Sequence, residues 1–306
     1  MATFRQTLPD LFLSRVANLD DVVFENYKIR MGISQRVFRV METDKPFVTV
    51  TTAGAFGPVP TKAEGAGVQY DDLAGGFDSR YQADTYELAF RTSKEALDDE
   101  QEEIISDAGR ALGNSMTYTY EQDHANLFND GFTSTTGSPD GVALFSTAHP
   151  LIGLGTQSNT FTSAADLSIG SLRDAFNAIA DMTNDSGLLV TWVPKYLVVG
   201  TELSWLAHEM IKSPTNAEGA NSAVINAFQS AGNSLQVLVW DGYFTDADAW
   251  VLLAEPSQHN IRTYWREHPN LLHDWDFESS SMKVKERARW KRGWSDYKGS
   301  FAVAGA

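Results

Sequence analysis

Catalysis needs nucleophiles, proton carriers or metal ligands at workable spacing, and this chain of 306 residues is poor in such sets. Cysteine is absent, which removes disulfides, thiol nucleophiles and thiolate metal sites together. That absence fits a reducing compartment and leaves bracing to packing or to other chains. The histidines are His124, His149, His208, His259, His268 and His273, and none has another four residues along a helix. His268 and His273 flank a proline, with Asp274 and Asp276 nearby. Such a set can hold a metal, but packing and surface roles are the commoner fate of histidines. Ser146 and His149 stand three apart beside Pro150, yet no glycine frames the serine and no orienting acid is identifiable. Asp98-Asp-Glu and Glu102-Glu103 are paired carboxylates, which on a helix face are ordinarily just solvated. There is no HExxH, no Walker A loop and no GxSxG elbow. Gly153-Leu-Gly155 is only GxG and follows no strand-to-helix turn. The expectation is a protein without catalytic residues, cofactor or bound metal.

The elements that would have to position such residues show a different organisation. A hydrophobic content of 42%, with 8 Trp, 10 Tyr and 17 Phe, is that of a chain able to bury a core. No apolar run approaches the roughly 20 residues needed to cross a bilayer, so no membrane partner is expected. The N-terminus lacks an apolar signal-peptide core. Net charge is −16, unevenly spread. Residues 71–130 hold 15 acids against 4 bases, and residues 283–298 hold 7 bases against 2 acids. So acidic a chain is a poor general binder of nucleic acid; its two patches, opposite in sign, are either complementary between copies or simply solvated faces.

The longest pattern runs from Ser93 to Asp130, 38 residues without proline. Thr92 and Glu95 read as a capping box before it, and Gly131 as a residue tolerant of the left-handed conformation after it. Leu97, Ile104, Ala108, Leu112, Met116 and Tyr120 form a slowly drifting apolar stripe. Asp99, Glu103 and Asp107 form an acidic row on another side. At roughly 1.5 Å per residue the helix spans ~57 Å, more than one compact domain needs. Gly109 and Gly113 share a face, permitting close approach or a kink.

Before this helix, residues 46–91 read as a long hairpin. Phe47 to Thr52 is the first strand, Tyr81 to Phe90 the second, and Gly54, Gly57, Lys62, Gly65, Gly67 and Gly75-Gly76 lie between. An isolated two-stranded hairpin is marginal in water and needs a partner surface. Residues 1–45 have apolar anchors (Leu8 to Leu13, Phe24 to Tyr27, a partly alternating Arg36 to Met41) without the pattern of a domain, and read as an arm. From Leu167 helices and strands mix: a helix through Leu172, Ala175, Phe176, Ile179 and Met182, and strands at Val190–Gly200, Leu235–Trp240 and Ala249–Ala254. A second helix covers Glu202–Lys212. The class is α+β. Near the end, Lys283, Lys285, Arg287, Arg289 and Lys291 share one face of a strand, with Val284, Glu286, Ala288 and Trp290 on the other.

This order of pieces resembles the major capsid protein of tailed bacteriophages, the Hong Kong 97-type fold, and more narrowly the Mu-type major head subunit family. The narrower likeness rests on Asp140-Gly-Val-Ala-Leu-Phe-Ser-Thr-Ala-His-Pro, Ser158-Asn159, Pro194-Lys-Tyr-Leu-Val-Val-Gly, Ala249-Trp-Val-Leu-Leu and the tail Arg289-Trp-Lys-Arg-Gly-Trp-Ser-Asp-Tyr-Lys-Gly. The resemblance implies a structural protein of the virion, assembled in the host cytoplasm into hexamers and pentamers of an icosahedral shell around double-stranded DNA, bound without sequence specificity. Scaffold, protease, portal and decoration proteins are further partners it implies. It assigns 1–45 to an N-terminal arm, 46–91 to an extended loop lapping a neighbour, and 92–166 to a peripheral domain with a spine helix at 93–130. Residues 167–265 become an axial domain, and 266–306 strands returning to the peripheral domain. Inter-subunit contacts are then expected at Gly54, Gly57, Lys62 and Gly65, at Asp99, Glu103 and Asp107, and at Lys283, Lys285, Arg287 and Arg289, with the acidic row either lining the lumen or facing a neighbour's basic strand. The covalent cross-link of part of this fold group is not carried over, because no asparagine partner for Lys62 is identifiable. Two rivals stand beside this reading: a nanocompartment shell with protein cargo, and a soluble hydrolase using residues 167–270.

Overall fold

Two four-stranded sheets, bridged by one long helix, carry the fold. The computed structural model describes residues 32–73, 75–98, 102–214, 225–226, 228, 235–276 and 278–306, without the side chains of 97–105. The expectations on Leu8–Leu13 and Phe24–Tyr27 lie outside these residues.

The first sheet has the order β1-β10-β11-β4. β1 is Arg39–Glu42, β4 Asp84–Ser93, β10 Ile261–Asp276 and β11 Ser281–Trp294. β10 and β11 form a long antiparallel hairpin, β4 runs antiparallel along β11, and β1 lies parallel to β10. The expected alternation in β11 is present. Met282, Val284, Glu286, Ala288 and Trp290 are buried, while Lys285, Arg287, Arg289 and Lys291 are half-buried and Lys283 is exposed. β1 is shorter than the alternation at 36–41 suggested, because residues Ser34–Val37 form a one-turn helix, α1.

The second sheet has the order β12-β9-β7-β8, from β7 (Tyr196–Val199), β8 (Gln236–Val239), β9 (Trp250–Leu253) and β12 (Ser300–Val303). β7, β9 and β12 are buried at every position, which explains their unbroken apolar runs. Leu197, Val199, Trp250, Leu252, Phe301 and Val303 share one core with α4 (Ile169–Ala180) and α5 (Ser204–Lys212). Tyr196, Val198, Val251, Leu253 and Ala302 face the other way, onto Ala125 and Phe128 of the long helix. Ser168 caps α4, its hydroxyl accepting from the Ser171 N–H at 3.0 Å. The last strand departs from expectation: β12 does not follow β11 in the first sheet but pairs with β9 in the second. Its apolar Phe301-Ala-Val needs cover on both faces, which only that sheet supplies.

The long helix appears as α2 (Lys94–Asp98) and α3 (Glu102–Asn129). Its start corrects the capping box, since Thr92 lies within β4 opposite Met282 and Ser93 supplies the cap by accepting from the Ala96 N–H at 3.3 Å. Its end corrects the role of Gly131. That glycine has no left-handed backbone; a Cβ there would lie 2.8 Å from the Phe145 ring. Along α3 the support changes, as the drifting stripe suggests. Tyr120 stacks on Trp265 with centroids 4.9 Å apart, against the first sheet, while Ala125 and Phe128 join the core of the second. Two tryptophans fix the crossing. Trp290 donates to Asp123 at 3.0 Å from the first sheet, and Trp240 donates to Glu121 at 2.8 Å from the end of β8.

The hairpin is present with a different return strand. β2 (Val48–Ala53) pairs with β3 (Gly75–Tyr81), whereas Asp84 onward belongs to the first sheet. Gly75-Gly76, expected in the loop, lies inside β3. Gly76 is required there, because a Cβ would sit 2.2 Å from the Thr52 carbonyl oxygen.

Candidate assembly surfaces

The hairpin is held at its root, and beyond it the hydrogen bonds among the described residues lie within the loop itself. Ser79 donates to the Trp294 carbonyl at 3.2 Å. The Tyr81 ring packs on Gly293, where a Cβ would come within 2.8 Å of it. Ser186 bonds to the Ala55 carbonyl. Further out, the Gly57 N–H donates to Asp71 at 2.8 Å and the Ala66 N–H to the Ala63 carbonyl at 3.1 Å. Of the glycines expected here, Gly54 is buried at the root, Gly57 faces Asp71, and Gly65 makes the tip turn with φ +80°. Lys62 is exposed. Sequence reading passed over the apolar residues of the same loop. Phe56, Val59, Val68, Tyr70 and Leu73 are all exposed, Val59 and Tyr70 at 95%. Their signal was large apolar side chains scattered through a glycine-rich stretch without periodicity.

The basic row of β11 finds partners inside its own chain. Lys283 reaches Asp276 at 2.6 Å, Lys285 reaches Glu87 at 3.6 Å, and Arg287 reaches Glu87 at 3.3 Å and Glu267 at 3.2 Å. The hydrogen bond from Lys283 holds the Asp276 carboxyl down at about 2. Arg289 makes no ion pair among the described residues and lies in register with Thr85 and Glu267. Asp107 is exposed and pairs with Arg110 at 2.7 Å, one turn along α3. Glu103 lies in α3 without a described side chain, and Asp99 is outside the described residues. The acids that answer the basic strand are thus those of β4 and β10, because neighbouring strands put their side chains in register.

The suspected hydrolase pair is a closed internal network. His149 is fully buried, with Nδ1 2.7 Å from Asp140 Oδ2 and Nε2 3.1 Å from both the Leu144 carbonyl and Asn159 Oδ1. Asp140 is the acid that sequence reading could not identify. The Ser146 hydroxyl instead accepts from the Ala148 N–H at 3.2 Å, so no nucleophile faces the imidazole. Burial pushes the Asp140 carboxyl up, but bonds from His149 and Ser138 outweigh it and hold it below the usual range. His268 touches Glu42 at 3.1 Å, and the described residues include no group of three His, Cys, Asp or Glu able to hold a metal.

A buried carboxylate escaped notice. Glu286 is 1% exposed on the α3 side of β11, and neither of its oxygens has a hydrogen-bond partner. Burial raises its carboxyl to about 7.

The family model for phage capsid proteins matches residues 76–303, from inside the hairpin to the last strand. The chain belongs to the phage capsid protein family. It is a structural protein of the virion shell, not an enzyme, and its fold is that of tailed-phage major capsid proteins. The mature capsid of bacteriophage PhiM1 has a similar fold, with a TM-score of 0.58 and 12% identity over 90% of this chain and 87% of that one. The capsid of cyanophage P-SCSP1u gives a TM-score of 0.57 at 9% identity, over 90% and 88%. A virus-like particle from Pyrococcus furiosus gives 0.56 at 7% identity, over 94% and 98%. No curated protein sequence matches. The Mu-type likeness is a narrower reading inside the family. As a phage capsid protein this chain assembles with copies of itself.

Proposed function

We propose that the chain is the major subunit of an icosahedral shell, arranged as hexamers and pentamers, that encloses double-stranded DNA without reading its sequence. The observation that carries this is the loop at 54–73. It exposes Phe56, Val59, Val68, Tyr70 and Leu73 at the end of a hairpin whose anchors, among the described residues, lie at its root. Apolar side chains so presented need cover, and a neighbouring copy is the simplest cover. In this reading Gly54, Gly57, Lys62 and Gly65 belong to an inter-subunit clasp. Residues 92–166 form the peripheral domain, 167–265 the axial domain, and 266–306 tie back to them. Scaffold, protease, portal and decoration proteins are the further partners, and assembly takes place in the host cytoplasm.

Electron microscopy of the purified protein is expected to show closed hollow particles or ring-shaped capsomers. A monomer at all concentrations and salts would overturn the reading. Deleting residues 56–73 is expected to leave folded subunits that cannot close, and normal particles after that deletion would remove the clasp. A shell with protein cargo is the second reading. The contents of purified particles, nucleic acid or protein, separate the two.

A further inference from the structure

β4 is the open edge of the first sheet. Ten residues, Asp84–Ser93, are paired with β11 along one side, and no other described strand lies along the outer side. The strand has neither proline nor glycine. On the α3 side of the sheet it leaves Leu88 half exposed and Phe90 partly covered. An edge this long, with open main-chain groups beside an apolar strip, is a template for another strand.

The loop supplies a matching segment. Its first arm carries Pro58 and Pro60 and lacks the donors a strand needs. Its second arm, residues 66–73, has no proline and places exposed Val68 and Tyr70 two apart, on one face of an extended chain. The charges also match. Glu64 and Asp72 on the loop, and Arg91 and Lys94 at the end of β4, make no ion pair among the described residues. A loop of about 20 residues is the number that one side of a standard interface uses.

The loop cannot reach its own β4. Trp290 pairs with Asp84, and further along β11 Gly293 and Trp294 meet Tyr81 and Ser79 of β3. β3 therefore continues the line of β4 beyond the sheet, and the hairpin points away from it. From Gly75 back to Leu88 is ~43 Å of extended chain, while an arm of ten residues spans at most ~35 Å.

We propose that residues 66–73 of one copy add to the outer edge of β4 of a second copy as a fifth strand, with Val68 and Tyr70 beside Leu88 and Phe90. This rests on the shell reading above and specifies where its clasp closes.

The absence of cysteine makes the contact directly mappable. Tyr70→Cys and Leu88→Cys are combined in one chain, particles are assembled, and mild oxidant is added. A ladder of disulfide-linked oligomers on non-reducing denaturing gels, collapsed by reductant, is expected. The pair Tyr70→Cys with Tyr118→Cys, on the exposed side of α3, is expected to give none. Particles without the 70–88 ladder, an internally linked monomer, or an equal ladder from the 118 pair would each overturn the β4 assignment and leave the shell reading intact. Should the double variant not assemble, hydrogen exchange on the unmodified protein decides. Alternate β4 amides are expected to slow at least tenfold between free subunits and particles, and unchanged exchange overturns the assignment. If the unmodified protein forms no particles, the shell reading fails first and this proposal with it.

Discussion

Asp140 Oδ2 lies 2.7 Å from Nδ1 of His149, with both side chains closed off from solvent. The imidazole is stacked on Tyr297 at 3.9 Å, and its other nitrogen faces only acceptors, the Leu144 carbonyl and Asn159 Oδ1. Asn159 Nδ2 donates to that same carbonyl at 2.8 Å, which fixes its Oδ1 as an acceptor. This buried, hydrogen-bonded pair pins residues 138–159 to the C-terminal segment.

Removing one partner of such a pair leaves the polar atom of the other buried without its bond. Asp140→Asn is expected to cost about 3 kcal/mol of subunit stability, against less than about 0.5 kcal/mol for exposed Asp174→Asn. Chemical denaturation of dissociated subunits measures both. Equal effects would mean that the buried contact adds nothing to stability.

Glu286 gives a pH dependence of opposite sign to ordinary acid denaturation. Unfolded, its carboxyl ionises near 4.5; folded, burial holds it neutral to about 7. Between these values the folded state binds more protons, so stability falls as pH rises and the penalty is complete above about 7. Each pKa unit is about 1.4 kcal/mol, so Glu286→Gln is expected to stabilise by up to about 3 kcal/mol at pH 8. The gain should vanish by pH 4.5. A gain independent of pH would assign the effect to packing.

His124 and His259 work the other way. Burial pushes both imidazoles down to about 4. His124 is held neutral between the Tyr120 carbonyl and the Thr263 hydroxyl, each at 2.7 Å. Unfolded, each takes a proton near 6.5; folded, only near 4. Stability is full above about 6.5 and falls as pH drops towards 4. His259→Asn, whose amide oxygen can still accept from the Ile261 N–H, is expected to remove roughly half of that acid loss. An unchanged slope would place the titration elsewhere.

Gly76 and Gly75 make a matched pair. A Cβ at Gly76 meets Thr52 backbone at 2.2 Å, while one at Gly75 meets nothing within 4 Å. Gly76→Ala is expected to open the β2–β3 ladder, speed proteolysis within residues 54–73 severalfold and abolish particle closure, with the two sheets still folded. Gly75→Ala should behave as the unsubstituted protein. Equal behaviour of the two variants would show that the hairpin root tolerates the added methyl.

What was legible in the sequence followed from local periodicity. The alternation in β11, the helical spacing in α4 and the apolar runs of β7 and β9 each appear where the pattern put them, because burial of one face or of both imposes its period on the residues. Most of the long helix and the existence of a glycine-rich hairpin were legible from the same kind of local pattern. Tertiary structure decided which strands pair. Tyr81–Phe90 looked like the return of the hairpin, but its residues from Asp84 onward bond to β11, some 200 residues later. Local propensity is indifferent to that choice. The partners of the basic row were likewise invisible, since Glu87 and Glu267 meet Arg287 only through strand register. The alternation put Glu286 on an apolar face, but its lack of a partner, like the contact of Asp140 with His149, was invisible: the surroundings of a buried polar group are assembled by the fold.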